Sequence, residues 1–188
     1  EHGDEIIENC DSVILEVDID KEIVKKVVQL CEKYDKKLYG VVSNMSIAVE
    51  RRDFLKSFDC FICNQLEAGI FFADDYSEKT PQELCDILTE RLKVAKIPSM
   101  IVTMGAQGSV YADDQGHCGY CPVQKVTVKD TTGAGDAFCA GAASALTYGK
   151  TLAEAVEIGT RLSASVITSS ENVCPRFQPE EFGINAER

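Results

Sequence analysis

The chain has 188 residues, 45% of them hydrophobic, with a mean hydropathy of -0.09, which suits one globular domain with a core of its own. A net charge of -12 and a pI near 4.6 oppose nucleic-acid binding, because a phosphate backbone needs Lys and Arg to displace its counterions. No apolar run nears the ~18 residues of a membrane span, and the acidic opening Glu1-His2-Gly3-Asp4-Glu5 is unlike a signal peptide, so a cytoplasmic protein with no membrane partner is expected.

In chain order, the apolar, β-branched stretch 12–17 reads as a strand. Over 21–34, Ile23, Val24, Val27, Val28, Leu30 and Cys31 share one face of a helix with lysines opposite. The next strand spans 38–42, a helical segment follows over 47–56, and 60–63 is a third, apolar strand. Connections of this length imply parallel pairing with right-handed crossovers. A short helix is expected over 65–71. Thr80-Pro81-Gln82-Glu83 then has the form of a capping box with Pro at the first helical position, opening a helix to about residue 96. Residues 99–104 form a fourth strand, 105–108 a turn, and 109–112 begin an antiparallel hairpin that closes near Gly116, so the sheet is mixed at this edge. The β-branched run 126–129 reads as another strand. After it come a glycine turn, an Ala-rich helix over 137–146 and a last long helix over 152–167. The fold class is therefore α/β, a single domain with a mostly parallel sheet flanked by helices.

Nine cysteines include two CxxC pairs. Cys60 and Cys63 lie in the third strand, where residues three apart face opposite ways and cannot share one ion; both are expected in the core. Cys118 and Cys121 sit in a glycine-containing turn beside His117 and are better zinc-ligand candidates, although convincing partners are lacking. An odd count scattered through the elements fits reduced thiols rather than a disulfide framework.

Parallel α/β sheets bind ligands outside the carboxyl ends of their strands. There the sequence places Asn64 and Glu67, then Thr103-Met104-Gly105, then Asp130-Thr131-Thr132-Gly133-Ala134-Gly135-Asp136. Asn and Glu suit a hydrated Mg²⁺, the glycine turn at a helix start suits a phosphate, and Asp136 suits a base. Other chemistries lack their signatures. There is no GxSxG elbow and there are only two histidines, and neither a GxxxxGK[ST] loop nor a complete GxGxxG is present.

The stretch Asp130 to Phe138 resembles the C-terminal signature of the ribokinase-like (PfkB) carbohydrate kinases. Asn64-Gln65-Leu66-Glu67 is similar to that family's NxxE motif, and residues 101–108 to its nucleotide-side strand and turn. The resemblance implies an ATP-dependent kinase acting on a sugar or nucleoside. Asp136 would be the general base, with the N–H groups of Gly133, Ala134, Gly135 and Asp136 forming an anion hole. Asn64 and Glu67 would organise Mg²⁺ through water. Thr103, Gly105 and Gly108 would line the nucleotide side, with Thr160 near the adenine. Carbonyls of Asp130 and Thr132 would hold a monovalent cation such as K⁺, although the returning loop 168–172 lacks the family's usual Gly. The family's N-terminal Gly-Gly signature, most sugar contacts and the β lid have no counterpart here, and the chain opens on Glu1 rather than Met. It is therefore expected to be a fragment, a trimmed piece, or a protomer whose sheet edge is covered by another chain, and to be inactive alone for want of a lid. A non-catalytic nucleotide-binding or regulatory module is the alternative, and a zinc-stabilised domain using Cys118 and Cys121 a third.

Overall fold

The computed structural model describes residues 2–170, 173 and 178–184. The elements run α1 (Gly3–Asn9), β1 (Ser12–Glu16), α2 (Lys21–Tyr34), β2 (Lys37–Val41), α3 (Met45–Val49), α4 (Arg52–Leu55), β3 (Cys60–Asn64) and α5 (Gln65–Phe72). They continue as α6 (Pro81–Ala95), β4 (Ser99–Thr103), a 3₁₀ turn (Gly105–Gln107), β5 (Ser109–Asp113), β6 (Cys118–Cys121), α7 (Ala134–Thr147), α8 (Leu152–Ile167) and a 3₁₀ turn (Pro179–Phe182). No helix among the described residues is long and apolar enough to cross a membrane.

Local chemistry fixes where the main helices begin. Asp20 accepts the N–H groups of Glu22 and Ile23 at 2.9 and 3.2 Å, filling two of the donors that a helix start leaves open. Thr80 with Glu83, and Thr151 with Glu154, close full capping boxes at α6 and α8, and Pro81 occupies the first helical position.

The strands form one six-stranded sheet in the order β1-β2-β3-β4-β5-β6. Pairing is parallel from β1 to β4 and antiparallel for β4–β5 and β5–β6. Strand alternation divides β3 between two cores: Phe61 and Cys63 pack with Val24, Leu88 and Leu92 on one side, while Cys60 and Ile62 pack with Phe138, Ala142 and Leu162 on the other. This is why the first CxxC pair cannot chelate. Among the described residues β1 pairs only with β2, and its Ile14, opposite the buried Tyr39, is 51% exposed.

Three sequence expectations need correction. Residues 126–129 are not a strand; they join no ladder of the sheet, and Val128 is 53% exposed. The segment 47–56 is two short helices broken at Glu50 and Arg51. Cys118–Cys121 is strand β6 rather than a turn. Its alternation sends Cys118 toward Cys85 of α6 and Cys121 toward Thr160 of α8, so the two sulfurs lie on opposite faces and zinc is not shared between them.

Helices α7 and α8 meet backbone to backbone at Gly141 and Gly159. A Cβ added to Gly159 would lie 2.8 Å from the Phe138 carbonyl oxygen, and one on Gly141 would lie 3.0 Å from the Gly159 Cα. Gly159→Ala should therefore cost about 1–2 kcal/mol despite alanine's better helix propensity, since backbone must move to admit the methyl. The expected readout is a lower urea midpoint at unchanged m-value. A midpoint equal to wild type would mean that the two helices can separate freely.

Candidate active site

Strands β3 and β4 end side by side, with Asn64 and Thr103 as register partners. Asn64 is also the N-cap of α5. Its Oδ1 accepts the Glu67 N–H at 2.9 Å, and Glu67 Oε2 accepts the Asn64 N–H at 2.7 Å, a reciprocal capping box. The pair thus has a structural duty that sequence reasoning did not assign to it. Burial pushes the half-buried Glu67 carboxyl above its ordinary value of 4.5, and the negative charge of Asp18 adds to this against the lowering effect of the Asn64 hydrogen bonds. Asp18, just beyond β1, accepts the Asn44 N–H at 2.8 Å. It was missed as a site residue, although its place after the carboxyl end of a parallel strand was a signal.

Helix α7 starts three residues earlier than its composition suggests. Gly133 is the N-cap at φ +79°, a conformation open chiefly to glycine. The Ala134 N–H turns back to the Thr131 carbonyl at 3.1 Å. That leaves the Gly135 and Asp136 N–H groups as first-turn donors with no acceptor within the helix, at the positive end of its dipole. Asp136 is exposed in this first turn. Upstream, Asp130 Oδ1 accepts the Thr132 N–H at 2.9 Å, which holds the Asp130 carboxyl below its ordinary value of 3.8. Lys129 and Asp130 donate backbone N–H groups to the Ile167 carbonyl, tying the loop to the end of α8. The other wall foreseen for a monovalent cation includes Glu171 and Asn172, which lie outside the described residues.

Cys139, one turn along α7, links the two halves of the rim. Burial, then the charges of Asp136 and Glu67, push its thiol up to about 12.

A cleft of about 780 Å³ opens beside α7. It gathers all four residues expected on the nucleotide side, Thr103, Gly105, Gly108 and Thr160, together with Ala134 and Gly135 of the anion-hole set. Gly108 sits at φ +101°, and a Cβ there would fall 2.2 Å from the Cys121 carbonyl oxygen. Thr160 Oγ1 donates to the Val156 carbonyl at 2.7 Å and meets Cys121 Sγ at 3.6 Å, so it forms wall rather than presenting a free hydroxyl. Also in the lining are Ala106, Thr131 and Phe138, and, not foreseen as site, the segment 123–128 and Ser163, Ala164 and Ile167 of α8. Asn64, Glu67, Asp130, Thr132, Gly133 and Asp136 are not part of that lining.

Among the described residues no group of three or more His, Cys, Asp and Glu is placed to chelate a metal. The half-buried Glu67 carboxylate, held up by burial and by Asp18, nevertheless suits a dication that keeps its water shell, as Mg²⁺ does.

Comparison with known proteins agrees with this geometry. Residues 4–175 match the model of the pfkB family carbohydrate kinases. The chain is 34% identical over 170 residues to guanosine-inosine kinase of Exiguobacterium acetylicum, covering 88% of this chain and 54% of that protein. It is 25% identical over 162 residues to ribokinase of Schizosaccharomyces pombe, covering 86% of this chain and 50% of that one. The structure of Arabidopsis thaliana ribokinase complexed with ribose and ATP superposes with a TM-score of 0.80 at 21% identity, over 91% of this chain and 54% of that one. The chain thus spans about half the length of the relatives it matches. With residues 4–175 matched to the family model, and the glycine turn opening α7 and the paired ends of β3 and β4 both present, the chain belongs to the pfkB family of carbohydrate kinases.

Proposed function

We infer that this chain carries the nucleotide-binding and phosphoryl-transfer part of an ATP-dependent kinase whose acceptor is a hydroxyl of a sugar or nucleoside. The observation that carries the reading is the cleft itself, in which Ala134 and Gly135 at the start of α7 share a wall with Thr103, Gly105, Gly108 and Thr160. A helix N-terminus favours negative charge, and phosphoryl transfer asks mainly for positioning and electrostatic stabilisation.

In this reading Asp136 takes the proton from the acceptor hydroxyl as its oxygen bonds to the γ-phosphorus. The bond from that phosphorus to the β-phosphate bridging oxygen breaks, and ADP leaves. The N–H groups of Gly135 and Asp136 hold the transferring phosphoryl oxygens. Gly133 sets the turn that aims them, and Ala134, already bonded to Thr131, contributes shape more than a free donor. Bound Mg²⁺ would neutralise phosphate charge, with Asn64 and Glu67 orienting its waters and Asp18 beside them. The carbonyls of Asp130 and Thr132 are the proposed seat of a monovalent cation.

The names of the relatives narrow the acceptor to be tried first. Incubating the intact protein with Mg·ATP and guanosine, inosine or ribose should yield a monophosphate detectable by mass spectrometry, with stoichiometric ADP. Nucleotide binding without transfer to any acceptor would replace this reading by that of a binding or regulatory module.

A further inference from the structure

The cleft beside α7 is walled by apolar and uncharged polar residues with one exception. Among the described residues Lys125, on the segment 123–128, is the only charged one lining it. Among the described residues five lysines, Lys26, Lys33, Lys37, Lys56 and Lys150, have a carboxylate partner. Lys125 has no ion pair or hydrogen bond among the described residues, and it is exposed to the cleft. The same cleft contains Gly135, whose N–H belongs to the positive end of α7. Among the described residues two positive features and no carboxylate therefore border a mainly apolar hollow. That combination fits an amphiphilic anion with a flat apolar body and a charged tail.

The geometry points to Lys125 as a binding residue for the polyphosphate of the nucleotide, with the apolar wall taking the base. This rests on the nucleotide reading above and adds to it a residue that selects charged nucleotide over uncharged nucleoside. An exposed ammonium gains little from a single distant charge. A di- or triphosphate, however, brings several charges within a Debye length, about 8 Å at physiological salt.

The test is calorimetric titration of the intact wild-type protein, Lys125→Gln and Lys125→Arg with Mg·ADP, Mg·ATP and adenosine. Lys125→Gln should weaken both nucleotides about tenfold, the scale of a lost charge-assisted hydrogen bond. Adenosine affinity should stay within about twofold, and Lys125→Arg should restore nucleotide affinity. Wild-type affinity for Mg·ADP should also fall more steeply with added salt than that of Lys125→Gln. Unchanged nucleotide affinity in Lys125→Gln overturns the inference, and so does an equal loss for ADP and adenosine, which would mark Lys125 as part of the base wall. If the wild type binds no nucleotide at all, the nucleotide reading itself falls and takes this inference with it.

Discussion

Replacing Asp136 by asparagine is expected to lower kcat for phosphoryl transfer by about a thousandfold, within the range a positioned general base contributes. Affinity for ATP should change little, because Asp136 is not part of the cleft lining. The substitution keeps shape and removes only the proton acceptor. The fold should survive it, since Asp136 is exposed in the first turn of α7, where a carboxylate is worth about 0.3–1 kcal/mol to the helix dipole. A thermal melt alongside the kinetics separates the two effects. Near-wild-type turnover with a verified acceptor would assign the proton to another group.

Glu67→Gln should move stability and activity in opposite directions. The folded carboxyl is raised above its ordinary value of 4.5, chiefly by burial and further by Asp18, so folding disfavours its charged form. Its contribution to stability is complete below the unfolded value and is lost as pH rises through the raised folded value, so it is absent at neutral pH. Glutamine cannot ionise, and its amide oxygen can still accept the Asn64 N–H that Glu67 accepts at 2.7 Å. Magnesium-free Glu67→Gln should therefore melt at or above the wild-type temperature at pH 7 and lose that advantage toward pH 4. Its kcat should fall about a hundredfold, as removal of a group that orients metal-bound water does. A variant that melts well below wild type at pH 7 would show that the carboxylate serves the capping box more than the reaction.

Much of the frame was legible because its determinants are local. Helix α2 follows from one apolar face and an Asp cap, α6 from Thr80, Pro81 and Glu83, and the opposed fates of Cys60 and Cys63 from the period of a strand. The family likewise follows from the nine residues at Asp130 to Phe138, whose spacing is itself the signal, and the match over residues 4–175 bears it out. What the chain hid depends on distant partners. Residues 126–129 alternate like a strand, but a strand exists only where another offers its ladder, and here the segment walls a cleft instead. Cys118 and Cys121 looked like a turn until β5 paired with them. Asp18 gained meaning only when folding brought it near Glu67 across some fifty positions of sequence. Asn64 and Glu67 were legible as a pair, yet their spacing fits a capping box as well as a metal site, and the structure realises the first.

The crossing of α7 and α8 at Gly141 and Gly159 fixes more than packing. Gly135 at the head of α7 and Thr160 on α8 belong to one bracket, clamped where the two backbones approach most closely. In the proposed reading the spacing between phosphate seat and base wall would then be set before any ligand arrives, so the ordering entropy would be met during folding and not during each turnover. Motion that admits and releases substrate must then come from outside the bracket. Loosening the clamp by a single methyl would blur that spacing and is expected to slow turnover as well as lower stability.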